Sequence, residues 1–378
     1  MKYIKYLFFL PLFFACKNTA EKQNTSTQEN QNKEYKIIGY AAGYEDYDFS
    51  KIDATKMTHI NFAFANIVEG KAAFELDTDA AKIATLMGLK KQNPTLKVLY
   101  SVGGWVWSDQ FSTMAAFQDS RKKFADSCVE LMLKHGFDGV DLDWEYPGQR
   151  AEDNIFRPSD KDNFTLLLKD IREALDAEGK KNNTHYLLTI ATGADQAYIN
   201  QTDLASAHKY LDFINIMCYD YFNGWMHQTG HHANLYPSEK DKYSVNSGVE
   251  AIDRHLKAGV PADKLVMGIP FYGRQWAKVS STKDGLYEPA KEGGMIVAYW
   301  DILAKIKTGK YKEMYDESAK ASYVWNATDN IFISYDTPKD VALKAKYIKE
   351  KGLGGAMFWE YSLDKDHVLL NALNNELK

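Results

Sequence analysis

Residues 137–148 read FDGVDLDWEYPG. Asp138, Asp141, Asp143 and Glu145 stand among apolar and aromatic neighbours, not in a polar run. In an extended strand alternate side chains share a face, so Asp141, Asp143 and Glu145 point one way and Val140, Leu142 and Trp144 the other. Asp138 lies at the strand's start, out of phase. Successive acids on the shared face are roughly 6.5–7 Å apart at Cα. Carboxylates gathered in a low dielectric cannot all ionise, so at least one keeps a proton near neutral pH. A protonated Glu145 at the strand's end is a general acid, and a carboxylate beneath it can offset positive charge. That pairing suits cleavage of a glycosidic bond, whose transition state resembles an oxocarbenium ion. A divalent-cation site is the rival chemistry for clustered aspartates. No second acidic cluster and no phosphate-binding loop supports it, so neither metal nor cofactor is expected.

The acidic strand is one of several. Short β-type runs occur at residues 35–40, 57–65, 96–102, 139–144, 186–192, 212–219, 265–271 and 354–359, with helical patterns between them. In DNFTLLLKDIREALDAEG, Phe164, Leu167, Leu168, Ile171 and Leu175 follow helical spacing, and Gly179 is expected to end the helix. In DTPKDVALKAKYIKEKG, Thr337 can cap, Pro338 fits the first turn and Gly352 stops it. Eight strands alternating with helices argue for an α/β chain folded as a (β/α)8 TIM barrel. A doubly wound sheet is the alternative, but no glycine-rich nucleotide loop follows the first strand. About 80 residues separate the last two runs, too many for one crossover. Residues 276–334 therefore read as a small α+β insertion between the seventh and eighth strands. In a barrel the inward face of a strand ends at the catalytic mouth, where Glu145 would emerge.

The chain has 378 residues, 45% of them hydrophobic, and a formal net charge of −5. That balance gives no basic footprint for nucleic acid. Its 8 Trp, 24 Tyr and 19 Phe are enough both for a core and for a groove lined with flat faces. MKYIKYLFFLPLFFAC carries Lys2 and Lys5 before an apolar run too short to span a bilayer. Residues 1–15 read as a signal peptide. Ala15-Cys16 resembles a bacterial lipoprotein processing site, although Phe13 and Phe14 replace the usual residues. Cys16 would then be lipidated, and residues 16–34, almost without large apolar side chains, would be a flexible tether to a membrane face. A cleaved signal with an incidental cysteine, and simple secretion, is the other reading. Cys128 and Cys218 sit in apolar segments as buried thiols, with a disulfide between them left open.

The motif at 137–148 resembles the active-site strand of glycoside hydrolase family 18, the chitinase family, and all four acids match. The likeness covers residues 35–378 and recurs at strand ends: SVGGW (101–105), MCYDY (217–221), GIPFYGR (268–274) and GAMFWEY (355–361). The insertion after FYGR is similar to the extra α+β domain of the family's deep-cleft branch. The resemblance implies that Glu145 protonates the glycosidic oxygen and that no enzyme carboxylate attacks. The substrate's 2-acetamido oxygen does so instead. Asp143 would hold the acetamido N–H, Asp141 would hydrogen-bond Asp143, and Asp138 would support them from below. Tyr219 would orient the acetamido carbonyl, Asp220 would touch the same sugar and Met217 would pack under its methyl group, unless it is plain core. Trp359 would be the floor on which the sugar stacks. Tyr40, Phe64, Tyr146, Tyr272 and Arg274 would line that subsite, and Trp105 and Trp225 would be stacking surfaces on either side of the cut. Ser101 would hydrogen-bond the buried aspartates or simply be a small strand residue.

HQTGHH (227–232) has no recognised metal-ligand spacing and reads as a loop. The activity implied is hydrolysis of β-1,4-linked N-acetylglucosamine in chitin or chitooligosaccharides, with retention. An endo-β-N-acetylglucosaminidase acting on glycoprotein glycans and a non-catalytic sugar-binding relative are the rivals. The second would lack the catalytic Glu, which is present at 145.

Overall fold

Each of the eight runs is a strand: Lys36–Ala42, His59–Val68, Lys97–Gly103, Gly139–Asp143, Leu187–Thr192, Phe213–Ile216, Leu265–Pro270 and Gly355–Trp359. They pair in parallel in chain order, and the first strand pairs with both the second and the eighth, closing the barrel. Nearly every strand residue is buried, as parallel strands covered on both faces require. In this computed structural model residues 33–152, 154–242, 246–281 and 283–378 are described, so the signal segment and Cys16 lie outside the described residues. Tyr35–Lys378 forms one compact unit with its own core.

Two apolar layers hold it. The larger packs the outward strand residues against the helices. There Trp144 stacks on Phe111 at 5.1 Å and meets Phe164 edge-on at 5.7 Å. The smaller fills the barrel's interior with Ile38, Tyr40, Phe64, Phe213, Val266 and Met357. Cys128 and Cys218 are separate buried thiols, not a disulfide. Helix Pro338–Glu350 starts on a capping box between Thr337 and Asp340, with Pro338 in the first turn. Helix Asp160–Asn182 differs from its expected end. It runs past Gly179, a buried position where a Cβ would lie 2.3 Å from the Thr184 carbonyl oxygen, and stops at Asn183 with φ 48°.

The insertion is a five-stranded antiparallel sheet spanning Tyr272–Tyr335, with helix Tyr299–Lys307. It starts earlier than residue 276, because only Phe271 separates its first strand, Tyr272–Val279, from the seventh barrel strand. Tyr272 and Arg274 therefore belong to the insertion. Where the chain returns to the barrel, Lys344 pairs with Asp336, and both side chains are under 5% exposed. Burial raises the Asp336 carboxyl, Lys344 opposes, and the result is about 6. Lys344→Met leaves that carboxyl buried and alone. It should cost about 3–5 kcal/mol of stability, read from denaturant midpoints, with partial recovery in Lys344→Met/Asp336→Leu.

Candidate active site

Strand register sets the acidic column. Ser101, Asp141 and Thr189 are direct partners across the third, fourth and fifth strands. All three point inward, and Asp141 is fully buried. Its Oδ2 accepts hydrogen bonds from the Tyr40 hydroxyl at 2.8 Å and from Ser101 Oγ at 2.7 Å. Its Oδ1 accepts from Thr189 Oγ1 at 2.5 Å and, more weakly, from Asn215 Nδ2 at 3.5 Å. Burial raises the Asp141 carboxyl, and these four donors oppose the rise. They occupy both of its oxygens. The expected hydrogen bond from Asp141 to Asp143 is therefore not made, and the two aspartates act on one another through charge alone.

Asp143 lacks such donors. Its Oδ1 is buried without a partner. Burial, then the charge of Glu145, then that of Asp141, push its carboxyl well above the usual range. The backbone of this turn is held from below. Gly103 and Gly104 take φ 109° and 83°, and a Cβ on Gly103 would lie 2.4 Å from the Asp143 carbonyl oxygen. This is what the paired glycines of SVGGW provide: close approach of two backbones. Ser108 Oγ shares its one proton between the Gly104 carbonyl at 2.8 Å and the Asp143 carbonyl at 3.1 Å, and accepts from the Glu145 N–H at 2.9 Å. Asn154 Nδ2 donates to the Glu145 carbonyl at 2.5 Å.

Glu145 follows at the mouth, 8% exposed. Burial raises its carboxyl, the Tyr146 hydroxyl opposes, Asp220's charge adds to the rise, and the result is about 7. A carboxyl that titrates near neutrality at the rim of a cleft can give a proton and take one back.

Asp138 does not join the column. It sits where the fourth strand begins, at the opposite end of the barrel. There its Oδ2 accepts from the Val98 N–H at 2.7 Å and pairs with Lys90 at 2.6 Å. Being out of phase, it turns to the strand start and the neighbouring lysines, so its role is to fasten the strand.

The sixth strand and the insertion build the facing wall. Arg274 holds Asp220 with two bonds, Nε to Oδ1 at 2.7 Å and a terminal nitrogen to Oδ2 at 2.6 Å. Burial raises Asp220, but His232 and Arg274 more than offset it and hold it below the usual carboxylate range. Asp220 takes φ 60°, a conformation Asp tolerates better than most residues. His232 is buried with Nδ1 3.5 Å from Asp220, while His231 turns away to Asp316 at 3.3 Å. The loop histidines thus serve separate carboxylates. Tyr219 packs edge-on against Tyr272 at 6.0 Å, and its hydroxyl points at the Met357 sulfur at 3.9 Å.

A cleft of about 860 Å³ opens here. Asp143, Glu145, Tyr146, Met217, Tyr219 and Asp220 line it, and so do the other expected residues Tyr40, Phe64, Trp105, Trp225, Tyr272, Arg274 and Trp359. Trp359 stacks on Phe64 at 5.5 Å and 19° and lies 5.5 Å from Tyr40. Trp105 and Trp225 do not flank opposite sides. Their rings meet at 5.2 Å, tilted 41°, which leaves no room for a sugar between them. Together they form one aromatic surface, and the Trp105 indole N–H is fixed to Glu152 at 2.7 Å.

Sequence reasoning missed Thr189, Asn215, Ser108, Asn154, His232 and Glu152. For the first two the signal was present: each is a polar residue at the inward phase of an otherwise apolar strand.

Glycosyl hydrolases family 18 matches residues 36–364. Chitinase A1 of Niallia circulans is 39% identical over 91% of this chain, which spans 58% of that relative's length. The family 18 N-acetylglucosaminidase of Paenibacillus barengoltzii is similar at 38% identity and TM-score 0.84, over 90% of this chain and 99% of that one. Chitinase ChiW of Paenibacillus sp. str. FPU-7, a bacterial cell-surface-expressed multi-modular enzyme, is similar at 39% identity and TM-score 0.86, over 91% of this chain and 43% of that one. The closed barrel, the acidic column and a match along nearly the whole barrel lead to one conclusion: the chain belongs to glycosyl hydrolases family 18.

Proposed function

We propose that the chain is a chitinase that hydrolyses β-1,4 linkages between N-acetylglucosamine units, with retention, through the substrate's own acetamido group. One observation carries this reading. The carboxyl at the rim, Glu145, titrates at about 7, while the one beneath, Asp143, is pushed well above the usual range. A rim carboxyl that burial holds toward its protonated form supplies the acid, and the attack falls to the substrate's acetamido oxygen.

Glu145 gives its proton to the leaving oxygen. The acetamido oxygen closes on the anomeric carbon to form an oxazolinium ion, which water opens with Glu145 as base. Asp143 holds the acetamido N–H and takes up the developing positive charge. Tyr219 orients the carbonyl, with Met217 beside the methyl group. Trp359, backed by Phe64, is the floor, and Trp105 with Trp225 carries the next sugars. The acid step needs Glu145 protonated, so kcat/KM should fall as pH rises through about 7. Products from N-acetylglucosamine oligomers and from a glycoprotein, measured side by side on that pH series, test the assignment. Release of glycans from the glycoprotein alone would move it to an endo-β-N-acetylglucosaminidase.

We also propose export, with residues 1–15 as signal and lipidated Cys16 and residues 17–34 tethering the 35–378 barrel to a membrane face.

A further inference from the structure

In a (β/α)8 barrel every crossover helix ends at the face where the next strand begins. Helix C-termini favour cations, so a rule that is local on one helix repeats around the whole ring. Here Lys91, Lys134, Lys180, Lys209 and Lys257 lie at the ends of the segments that lead into the third, fourth, fifth, sixth and seventh strands. All five are exposed, and none is in an ion pair among the described residues. Two of the acids at those strand starts are already engaged, while Asp263, before the seventh strand, is exposed. Asp138 pairs with Lys90 and Lys97, and Asp212 with His185 and Arg172. At the cleft end the helices begin with acids instead, Asp79, Asp119, Asp160, Glu250 and Asp340. In a chain of net charge −5, exposed lysines thus gather at the strand-start ends of these segments, while Asp79, Asp160 and Asp340 at the opposite ends are buried. The chain also enters its first strand, at Lys36, on the basic face.

We propose that this strand-start face docks on an anionic lipid surface, holding the cleft away from the membrane. Five unpaired ammonium groups around one rim repel one another, and a sheet of lipid phosphates relieves that repulsion at all five together. Entry of the chain at the same face lets the tether and the charge contact act on one membrane. The docking rests on the proposed membrane location for its purpose, but the charge contact does not depend on lipidation.

The test uses the chain from Lys17, which lacks the signal and Cys16 and keeps the whole barrel unit. It is sedimented with vesicles of phosphatidylcholine alone and of phosphatidylcholine with roughly one-third phosphatidylglycerol, the anionic component. Binding is expected to the anionic vesicles only, with loss at about 0.5 M NaCl. The variant carrying Lys91→Glu, Lys134→Glu, Lys180→Glu, Lys209→Glu and Lys257→Glu should bind at least about tenfold more weakly. It should also hydrolyse soluble oligosaccharide as wild type does, which shows it folded. Should it not fold, the salt titration of the wild-type chain decides. Equal binding to neutral vesicles, no binding to either, or insensitivity to salt and charge reversal would each overturn the proposal. Mass spectrometry of Cys16 in the exported chain reads the anchor separately, so failure of one does not imply failure of the other.

Discussion

Glu145→Gln should lower kcat by about 10²–10⁴-fold while chitooligosaccharide binding persists. Gln fills the same volume and keeps an amide toward the glycosidic oxygen but has no proton to transfer, so the loss falls on the chemical step. The same variant should gain stability at alkaline pH. Burial raises the Glu145 carboxyl from its ordinary 4.5 to about 7 in the folded chain. The folded state therefore binds the proton more tightly than the unfolded state does. The stabilisation is fully present below about 4.5 and is lost as pH rises through about 7. At pH above that window wild type keeps a buried anion, at a cost of at most about 3 kcal/mol, and Gln does not. A variant that is slower yet melts higher at alkaline pH, and equally at acid pH, is the expected signature. Wild-type turnover in Glu145→Gln would remove Glu145 from the mechanism.

Much of this site was legible because strand alternation is a rule with period two. Asp141, Asp143 and Glu145 follow from it directly, as does the outward packing of Val140, Leu142 and Trp144. The eight strands were legible for the same reason, since buried parallel strands are short apolar runs between helical patterns. What the pattern does not carry is partnership. Nothing in the spacing says that Tyr40, Ser101, Thr189 and Asn215 saturate Asp141 and leave Asp143 without a donor. That outcome depends on the register of strands far apart in sequence. Asp138 misled because its proximity in sequence to the column suggested proximity in space, while the strand direction carries it to the other end of the barrel. Trp105 and Trp225 misled differently. Each belongs to a loop, and loops from the third and sixth strands can meet over the mouth in ways no strand rule fixes. His232 was hidden for that reason as well: its role exists only once the loop folds it beneath Asp220.

Asp143→Asn should lower kcat by about 10²–10³-fold with little change in KM. Asn reproduces the neutral acid that burial and the charges of Glu145 and Asp141 favour in the resting site. The ground state therefore loses little. The difference appears when the acetamido oxygen closes on the anomeric carbon and positive charge spreads over the new ring. When the one proton shared by Asp143 and Glu145 sits on Glu145, ready for the glycosidic oxygen, Asp143 is the anion beside that ring, and an amide cannot be. The Asp143 carboxyl lines the cleft, where the acetamido N–H would meet it. The loss should therefore be larger for an N-acetylglucosamine thiazoline, which resembles the cyclic intermediate, than for the oligosaccharide product. Competitive inhibition of the wild-type enzyme by the thiazoline, weakened in Asp143→Asn, fits an attack made by the substrate. Were Asp143 itself the nucleophile, the Asn variant would be inactive at every pH, the thiazoline would have no complementary site, and a glycosyl-enzyme bond to residue 143 would be recovered by mass spectrometry. Asp143→Asn turning over at the wild-type rate would sink both assignments, because neither a charge-compensating aspartate nor a nucleophilic one survives that result.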